Sequence, residues 1–139
     1  MIICGDSKYK EAAEFYAEKL GIPDDTIIAI GLYSGMELAG YCEYHDEEVL
    51  PYCLIGLDTT EEEGQDDPLS TLAHEMVHVR QYITGDLVDG SSAQCRWKGN
   101  DYDMPDVASD DYYFTPWEIE AYGLQVGLYR LYCAKGIEE

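Results

Sequence analysis

The sequence predicts a single α+β domain over residues 1–139, and three observations lead to this fold class. The chain has 139 residues, of which 46% are hydrophobic, and a chain of that length buries one hydrophobic core. Three segments have the apolar spacing of packing helices. Between the first and the second of them lie three short runs rich in β-branched and aromatic residues. We therefore expect three helices packed on a small antiparallel sheet of about three strands.

The first half of the chain is predicted to form one helix and then the sheet. The helix covers residues 7–20, with Ser7 as its cap and Gly21 as its end. Turn-like segments then separate three predicted strands, at residues 27–33, 37–44 and 49–57. The acidic run TTEEEGQDDP follows them and is typical of a solvated loop.

The second half is predicted to form two helices joined by a long loop. Asp67 caps the second helix and Pro68 occupies its first position, and the helix ends near Thr84. Residues 85–115 show no sustained period, which indicates an irregular segment of the kind that is usually functional or mobile. The last helix opens at Pro116 and runs to about residue 135, and its predicted buried face holds Trp117, Ala121, Leu124, Leu128 and Leu131.

Composition excludes several classes of partner. Acidic residues number 29 against 8 basic ones, a formal net charge of −21, so phosphates and anionic lipid are repelled while a basic peptide or protein is attracted. Neither a leader nor an 18-residue apolar stretch is visible, and we expect a cytoplasmic monomer that binds neither nucleic acid nor membrane. Five widely spaced cysteines without a C-x-x-C pair are expected to be reduced and largely buried.

The stretch LAHEMVHVRQ in the second predicted helix carries the strongest functional signal. His74 and His78 are four residues apart, so both imidazoles project from one helix face and can bind one ion. Glu75 lies beside the fourth coordination position, as in the H-E-x-x-H motif. Leu72, Met76, Val79 and Ile83 form an apolar stripe that anchors the helix on the core.

The third ligand is predicted at the start of the last helix. His45, the remaining histidine, falls in a predicted exposed turn. Two histidines and one carboxylate leave a position for water on zinc, which is the catalytic arrangement. Glu118 and Glu120 flank the buried face of the helix at similar angles, so the helical wheel does not choose between them. Glu118 has a second interpretation, since Thr115 and Glu118 have the spacing of a capping box.

These residues resemble the gluzincin branch of zinc metallopeptidases, especially its single-domain members, the minigluzincins. The resemblance covers the H-E-x-x-H motif, the order of elements and an E-x-x-A match formed by Glu118 and Ala121. It implies a zincin-like core, a zinc ion held by His74, His78 and Glu118, and Glu75 as general base of an endopeptidase. The chain departs from the pattern at Tyr122, where many relatives carry an aspartate that supports a histidine ligand.

The implied mechanism leaves two roles open. A hydrogen-bond donor to the developing oxyanion is needed, and Tyr112 or Tyr113 stands in position just ahead of the ligand helix. An extended peptide is expected to pair with the edge of the strand near residues 52–57, as in the relatives.

Two functions from other classes remain alternatives. One is a zinc-binding module without turnover, which the missing aspartate at Tyr122 favours. The other is an acidic binding protein, for instance a mimic of DNA, in which the histidines are incidental.

Overall fold

The structure is a computed structural model that describes residues 1–46, 50–60, 66–90, 94–105 and 109–138. Within these ranges three α-helices and seven β-strands form a fold with two sheets. The α+β class predicted from the sequence is confirmed. No helix in the described ranges combines the length and hydropathy that a membrane crossing needs.

The elements have the following bounds. The helices are α1 (Ser7–Leu20), α2 (Pro68–Thr84) and α3 (Pro116–Glu138), with a short 3-10 helix at Asp110–Phe114. The first sheet contains β1 (Ile2–Cys4), β2 (Ile27–Tyr33), β3 (Gly40–His45) and β4 (Tyr52–Asp58). The second contains β5 (Leu87–Asp89), β6 (Gln94–Trp97) and β7 (Asn100–Asp103).

Local capping chemistry sets the helix ends. Asp67 caps α2 by accepting a hydrogen bond from the backbone N–H of Leu69 at 2.9 Å, and Gly85 ends the helix in the left-handed region with φ 81°. The predicted cap of α1 is wrong by one residue. Asp6, rather than Ser7, accepts the capping hydrogen bond, which the backbone N–H of Lys8 donates at 3.0 Å. A carboxylate at this position also interacts favourably with the positive end of the helix dipole.

The first sheet is mixed, so the predicted all-antiparallel arrangement is wrong. Its strand order is β1-β2-β4-β3, with β4 antiparallel to β3 but parallel to β2. The chain thus places β4 between β2 and β3, where its buried Cys53, Ile55 and Leu57 suit a central strand. The predicted start of this strand at Val49 lies outside the described residues, as do residues 47 and 48 of the preceding turn.

The prediction that an extended peptide pairs with the strand near residues 52–57 is also wrong. Ile55 of β4 is paired with Ile30 on one side and with Cys42 on the other. Because both edges of β4 are occupied, an extended peptide cannot add to it. Among the described strands, the outer edge on this side of the sheet belongs to β3.

Residues 85–115 are more regular than the sequence indicates. They contain the antiparallel sheet β5-β6-β7 and the 3-10 helix, although residues 91–93 and 106–108 lie outside the described part. This sheet has its own small core, formed by Leu87, Cys95, Trp97 and Trp117 with Tyr82 packed against it. Since Trp117 belongs to the first turn of α3, the second sheet fixes the start of the predicted ligand helix.

The main core lies between the first sheet and the helices. Leu72, Met76 and Val79 of α2 are fully buried there, as the apolar stripe predicts. The prediction that Leu131 lies on the buried face of α3 is wrong, because this residue is 53% exposed. Tyr132 takes the inward position instead, with its ring centroid 5.4 Å from that of Phe15.

The cysteines are free, as expected, but only two of the five are buried. Cys53 and Cys95 lie in the two cores, Cys42 is partly exposed, and Cys4 and Cys133 are exposed. The acidic loop predicted after β4 falls largely on residues 61–65, which lie outside the described residues.

Candidate metal centre

The two histidines of α2 project from one face of the helix into the space between α2 and α3. His74 is 6% exposed and His78 is 7% exposed, although both are polar. Their Nε2 atoms are 3.2 Å apart. Helical spacing of four residues places the rings one above the other, as the motif predicts.

Glu118 completes the cluster from the first turn of α3. One carboxylate oxygen lies 3.1 Å from Nε2 of His74 and the other lies 2.9 Å from Nε2 of His78. Tetrahedral ligands held about 2.0–2.1 Å from a zinc ion lie about 3.3 Å from one another. The three side chains therefore have the donor types and nearly the spacing that a metal ion requires, and in the described residues they are the only such group.

Glu120, the alternative ligand, points elsewhere. Its Oε1 atom accepts hydrogen bonds from Gln81 at 3.2 Å and from Arg80 at 3.4 Å. The capping-box interpretation of Glu118 is also unsupported, because both of its oxygens face the histidines while the Thr115 N–H donates to the Tyr112 carbonyl. Packing of Trp117 and Ala121 against the rest of the protein turns Glu118 toward α2.

His45 lies apart from the cluster, but it belongs to a strand rather than to the predicted exposed turn. It is the last residue of β3, partly exposed, and lies 3.2 Å from a carboxylate oxygen of Glu43. Its ring stacks on Tyr52 of the paired strand.

Hydrogen bonding and burial set the charge of the cluster. Burial raises the pKa of Glu118, but hydrogen bonds to His74 and His78 outweigh this effect and hold the pKa at about 2. Burial lowers the pKa of His78, but the hydrogen bond to Glu118 and the charge of Glu75 raise it to about 9. These shifts favour a charged Glu118 carboxylate beside a protonated His78 at neutral pH.

Glu75 is buried beside the cluster, with 5% of its surface exposed. Burial raises the pKa of its carboxyl group, and the nearby charge of Glu118 acts in the same direction, while the two histidines oppose them. It is not among the three clustered donors. Glu75 is thus a buried carboxyl group with a raised pKa, next to the three clustered side chains.

Two adjoining cavities open past the cluster, and both are lined by Glu75, Tyr112 and Glu118. The larger, of about 260 Å³, is also lined by Glu37, Asp66, Tyr113 and Tyr122. The smaller, of about 170 Å³, is also lined by Cys42, Tyr82 and Asp89. A chain that lay across both cavities would pass over Glu75.

The tyrosines differ in how they face the site. Tyr112 lines both cavities, and its pKa is raised by burial and then by the charge of Glu118. Tyr113 lines only the larger cavity and is 52% exposed. Tyr122 packs edge-on against His74, with the ring centroids 4.3 Å apart, and burial raises its pKa to about 12. All phenols with raised pKa values keep their protons at neutral pH and can donate hydrogen bonds.

Sequence reasoning did not assign two glutamines that contact the histidines. Gln81 Oε1 lies 2.7 Å from Nδ1 of His78, and Gln125 Oε1 lies 3.0 Å from Nδ1 of His74. Gln125 follows Glu118 by seven residues, two helical turns, so the same helix face presents both. The seven-residue spacing was visible in the sequence and could have indicated that Gln125 lies on the same helix face as Glu118.

Comparison of the chain with protein-family models, curated proteins and solved structures found no match.

Proposed function

We propose that the protein is a zinc-dependent endopeptidase with a zincin-like core and a gluzincin-like site. One observation carries the proposal. His74, His78 and Glu118 place three ligand atoms within 4.8 Å of one another, and Glu75 lies beside them in an open cleft. Two imidazoles and one carboxylate are the donor set of catalytic zinc, which leaves a position for water.

His74, His78 and Glu118 would hold the ion, and zinc in such a site would act as a Lewis acid that lowers the pKa of water towards about 7. His74 and His78 bind through Nε2, because these atoms face Glu118 while both Nδ1 atoms face glutamine side chains. Glu118 balances one of the two positive charges of the ion.

Glu75 acts as the general base. Glu75 lines both cavities beside the cluster, and burial raises its pKa above that of an exposed glutamate. It accepts the proton of the attacking water and delivers that proton to the amine of the leaving peptide.

Tyr112 is the better candidate for the hydrogen bond to the carbonyl oxygen of the substrate. It lines both cavities, whereas Tyr113 lines one and is half-exposed. Like other phenols, Tyr112 keeps its proton at neutral pH and can donate a hydrogen bond.

Replacement of Glu75 by Gln tests the proposal. The variant keeps the size of the side chain but removes the proton acceptor, so it should fold and bind zinc while peptide cleavage falls at least about 100-fold. A mixed peptide library analysed by mass spectrometry measures cleavage, with chelator-treated protein alongside. Glu14→Gln is the matched control, since Glu14 is an exposed residue of α1 that lines neither cavity.

Equal cleavage by the wild type and by Glu75→Gln would remove Glu75 from the mechanism. A zinc-binding module without turnover is the second candidate, and the small volumes of the two cavities, about 260 and 170 Å³, favour it. Full zinc occupancy without cleavage of any peptide by the wild type would support that function instead.

A further inference from the structure

We propose that Gln81 and Gln125 are the positioning residues of the metal centre, which hold His78 and His74 in the tautomer that binds metal through Nε2. The inference rests on the proposed zinc site but concerns residues outside its ligand set. It assigns the support of both histidines to neutral amides, where a carboxylate or a backbone carbonyl is the usual partner.

The surroundings of Gln81 fix the orientation of its amide group. Its Nε2 atom donates to the backbone carbonyl of Trp117 at 2.9 Å and to the carboxylate of Glu120 at 3.2 Å. Neither a carbonyl nor a carboxylate can donate in return, so the NH₂ group must lie on that side. The carbonyl oxygen of the amide therefore faces His78.

That orientation determines the tautomer of His78. Gln81 Oε1 only accepts hydrogen bonds, and it lies 2.7 Å from Nδ1 of His78. Nδ1 must therefore carry the hydrogen, and the lone pair of a neutral ring is on Nε2. Nε2 is the atom that lies 2.9 Å from Glu118. Gln81 is 1% exposed, so water does not compete for these bonds.

Gln125 has the equivalent place at His74. Its Oε1 atom lies 3.0 Å from Nδ1 of His74, and its Nε2 atom donates to Ser70 Oγ at 3.0 Å. This arrangement differs at one point, because a serine hydroxyl donates as well as accepts. A carboxylate at position 125 would therefore keep both hydrogen bonds, with the Ser70 hydroxyl turned to donate.

The difference between the two sites gives a sharp test. Gln125→Glu should bind zinc at least as tightly as the wild type, because the carboxylate accepts from both His74 and Ser70. Gln81→Glu should bind zinc less tightly for two reasons. A carboxylate cannot donate hydrogen bonds to the Trp117 carbonyl and to Glu120, and its negative charge would lie next to that of Glu120. Gln81→Met and Gln125→Met remove each acceptor at similar length, and each should weaken zinc binding about 10- to 100-fold.

Zinc affinity is measured by competition with a chromophoric chelator, and circular dichroism checks folding. Gln94→Met is the control, since Gln94 is an exposed glutamine of β6. A second readout is nitrogen NMR of the histidine rings in the zinc-loaded protein. The inference predicts a hydrogen on Nδ1 and metal on Nε2 for both histidines, with that signal lost or exchanging rapidly for the ring beside each Met substitution.

Folded Met variants with wild-type zinc affinity and unchanged histidine signals would overturn the inference. So would metal bound through Nδ1 of either histidine. A wild-type protein that binds no zinc would overturn the proposed function together with it, whereas unchanged affinity in the variants of a zinc-binding wild type would overturn the positioning role alone.

Discussion

At the scale of single residues, the pair formed by Glu118 and His78 would link the proposed metal binding to proton release. Their side chains lie 2.9 Å apart, with the pKa of Glu118 held at about 2 and that of His78 raised to about 9. Zinc bound at Nε2 of His78, as proposed, would displace a proton from this pair.

We therefore expect the apparent zinc affinity to rise about tenfold for each pH unit between about pH 7 and pH 9, since one proton is released. The same proton stabilises the folded protein without metal. Because the pKa of His78 is raised on folding, that stability is fully present below about pH 6.5 and is lost as the pH rises through about 9. Calorimetric titration with zinc in buffers of different ionisation enthalpy counts the protons. A zinc affinity that does not change between about pH 7 and pH 9 would contradict the release of a proton from Glu118 and His78.

The ligand residues also show how far sequence reasoning reaches at this scale. The spacing of His74 and His78 predicts their shared face, because both lie on one regular helix. The choice between Glu118 and Glu120 depends on how α3 packs against α2, which a helical wheel does not contain. The resemblance favoured Glu118, and the structure brings that residue, rather than Glu120, to the histidines.

At the scale of elements, the helix that bears Glu118 carries two glycines without a packing role. Apart from its chain neighbours and the backbone of its own helix, a Cβ atom at Gly123 or at Gly127 would meet no heavy atom within 4 Å. Gly40, at the start of β3, differs. A Cβ atom there would lie 2.7 Å from Thr71 Cγ2 and 2.9 Å from the carbonyl oxygen of Gly56, so this glycine allows β3 to lie close to α2.

Gly127→Ala should therefore raise the free energy of unfolding by about 0.5–1 kcal/mol, because alanine is the better helix former. Gly40→Ala should lower it by about 1–3 kcal/mol, because Thr71 and the backbone of Gly56 must move. Urea unfolding in the presence of a chelator measures both changes without a contribution from metal. A stabilising Gly40→Ala would show that the close approach of β3 to α2 is not needed.

The elements predicted well are those specified by neighbouring residues. Asp67, Pro68 and Gly85 set the ends of α2 locally, and the prediction for that helix is confirmed. The parallel pairing of β4 with β2 joins segments that are distant in the chain, and no local pattern reports it. The strands of the second sheet have only three or four residues, and every residue of β7 is exposed, so hydrophobic alternation was not visible there.

At the scale of the whole molecule, the chain carries a formal net charge of −21. Glu37 and Asp66 line the larger cavity of the proposed cleft together with three tyrosines. A negative field and aromatic faces both attract cationic side chains.

We expect peptides with lysine or arginine near the cleaved bond to be hydrolysed with higher kcat/KM than matched peptides with glutamate at those positions. The ratio of kcat/KM for the basic peptide to kcat/KM for the acidic peptide should fall as the salt concentration rises from about 20 mM to about 500 mM, because salt screens the attraction between the basic peptide and the acidic protein. A neutral peptide of the same length serves as the control. Equal rates for basic and acidic peptides at low salt would contradict this preference.

Zinc stoichiometry in the wild type and in two single variants tests the central claim most directly. Glu118→Ala removes the proposed ligand, and Glu120→Ala removes the neighbouring glutamate that pairs with Arg80. Each protein is loaded with zinc, dialysed against a chelator of moderate affinity and analysed by mass spectrometry for metal, with circular dichroism as the check on folding. The account predicts one zinc per chain in the wild type and in Glu120→Ala, and none in Glu118→Ala. Zinc retained by Glu118→Ala but lost from Glu120→Ala would contradict the proposed ligand set. A folded wild type without zinc would contradict the metal site itself and favour an acidic binding protein.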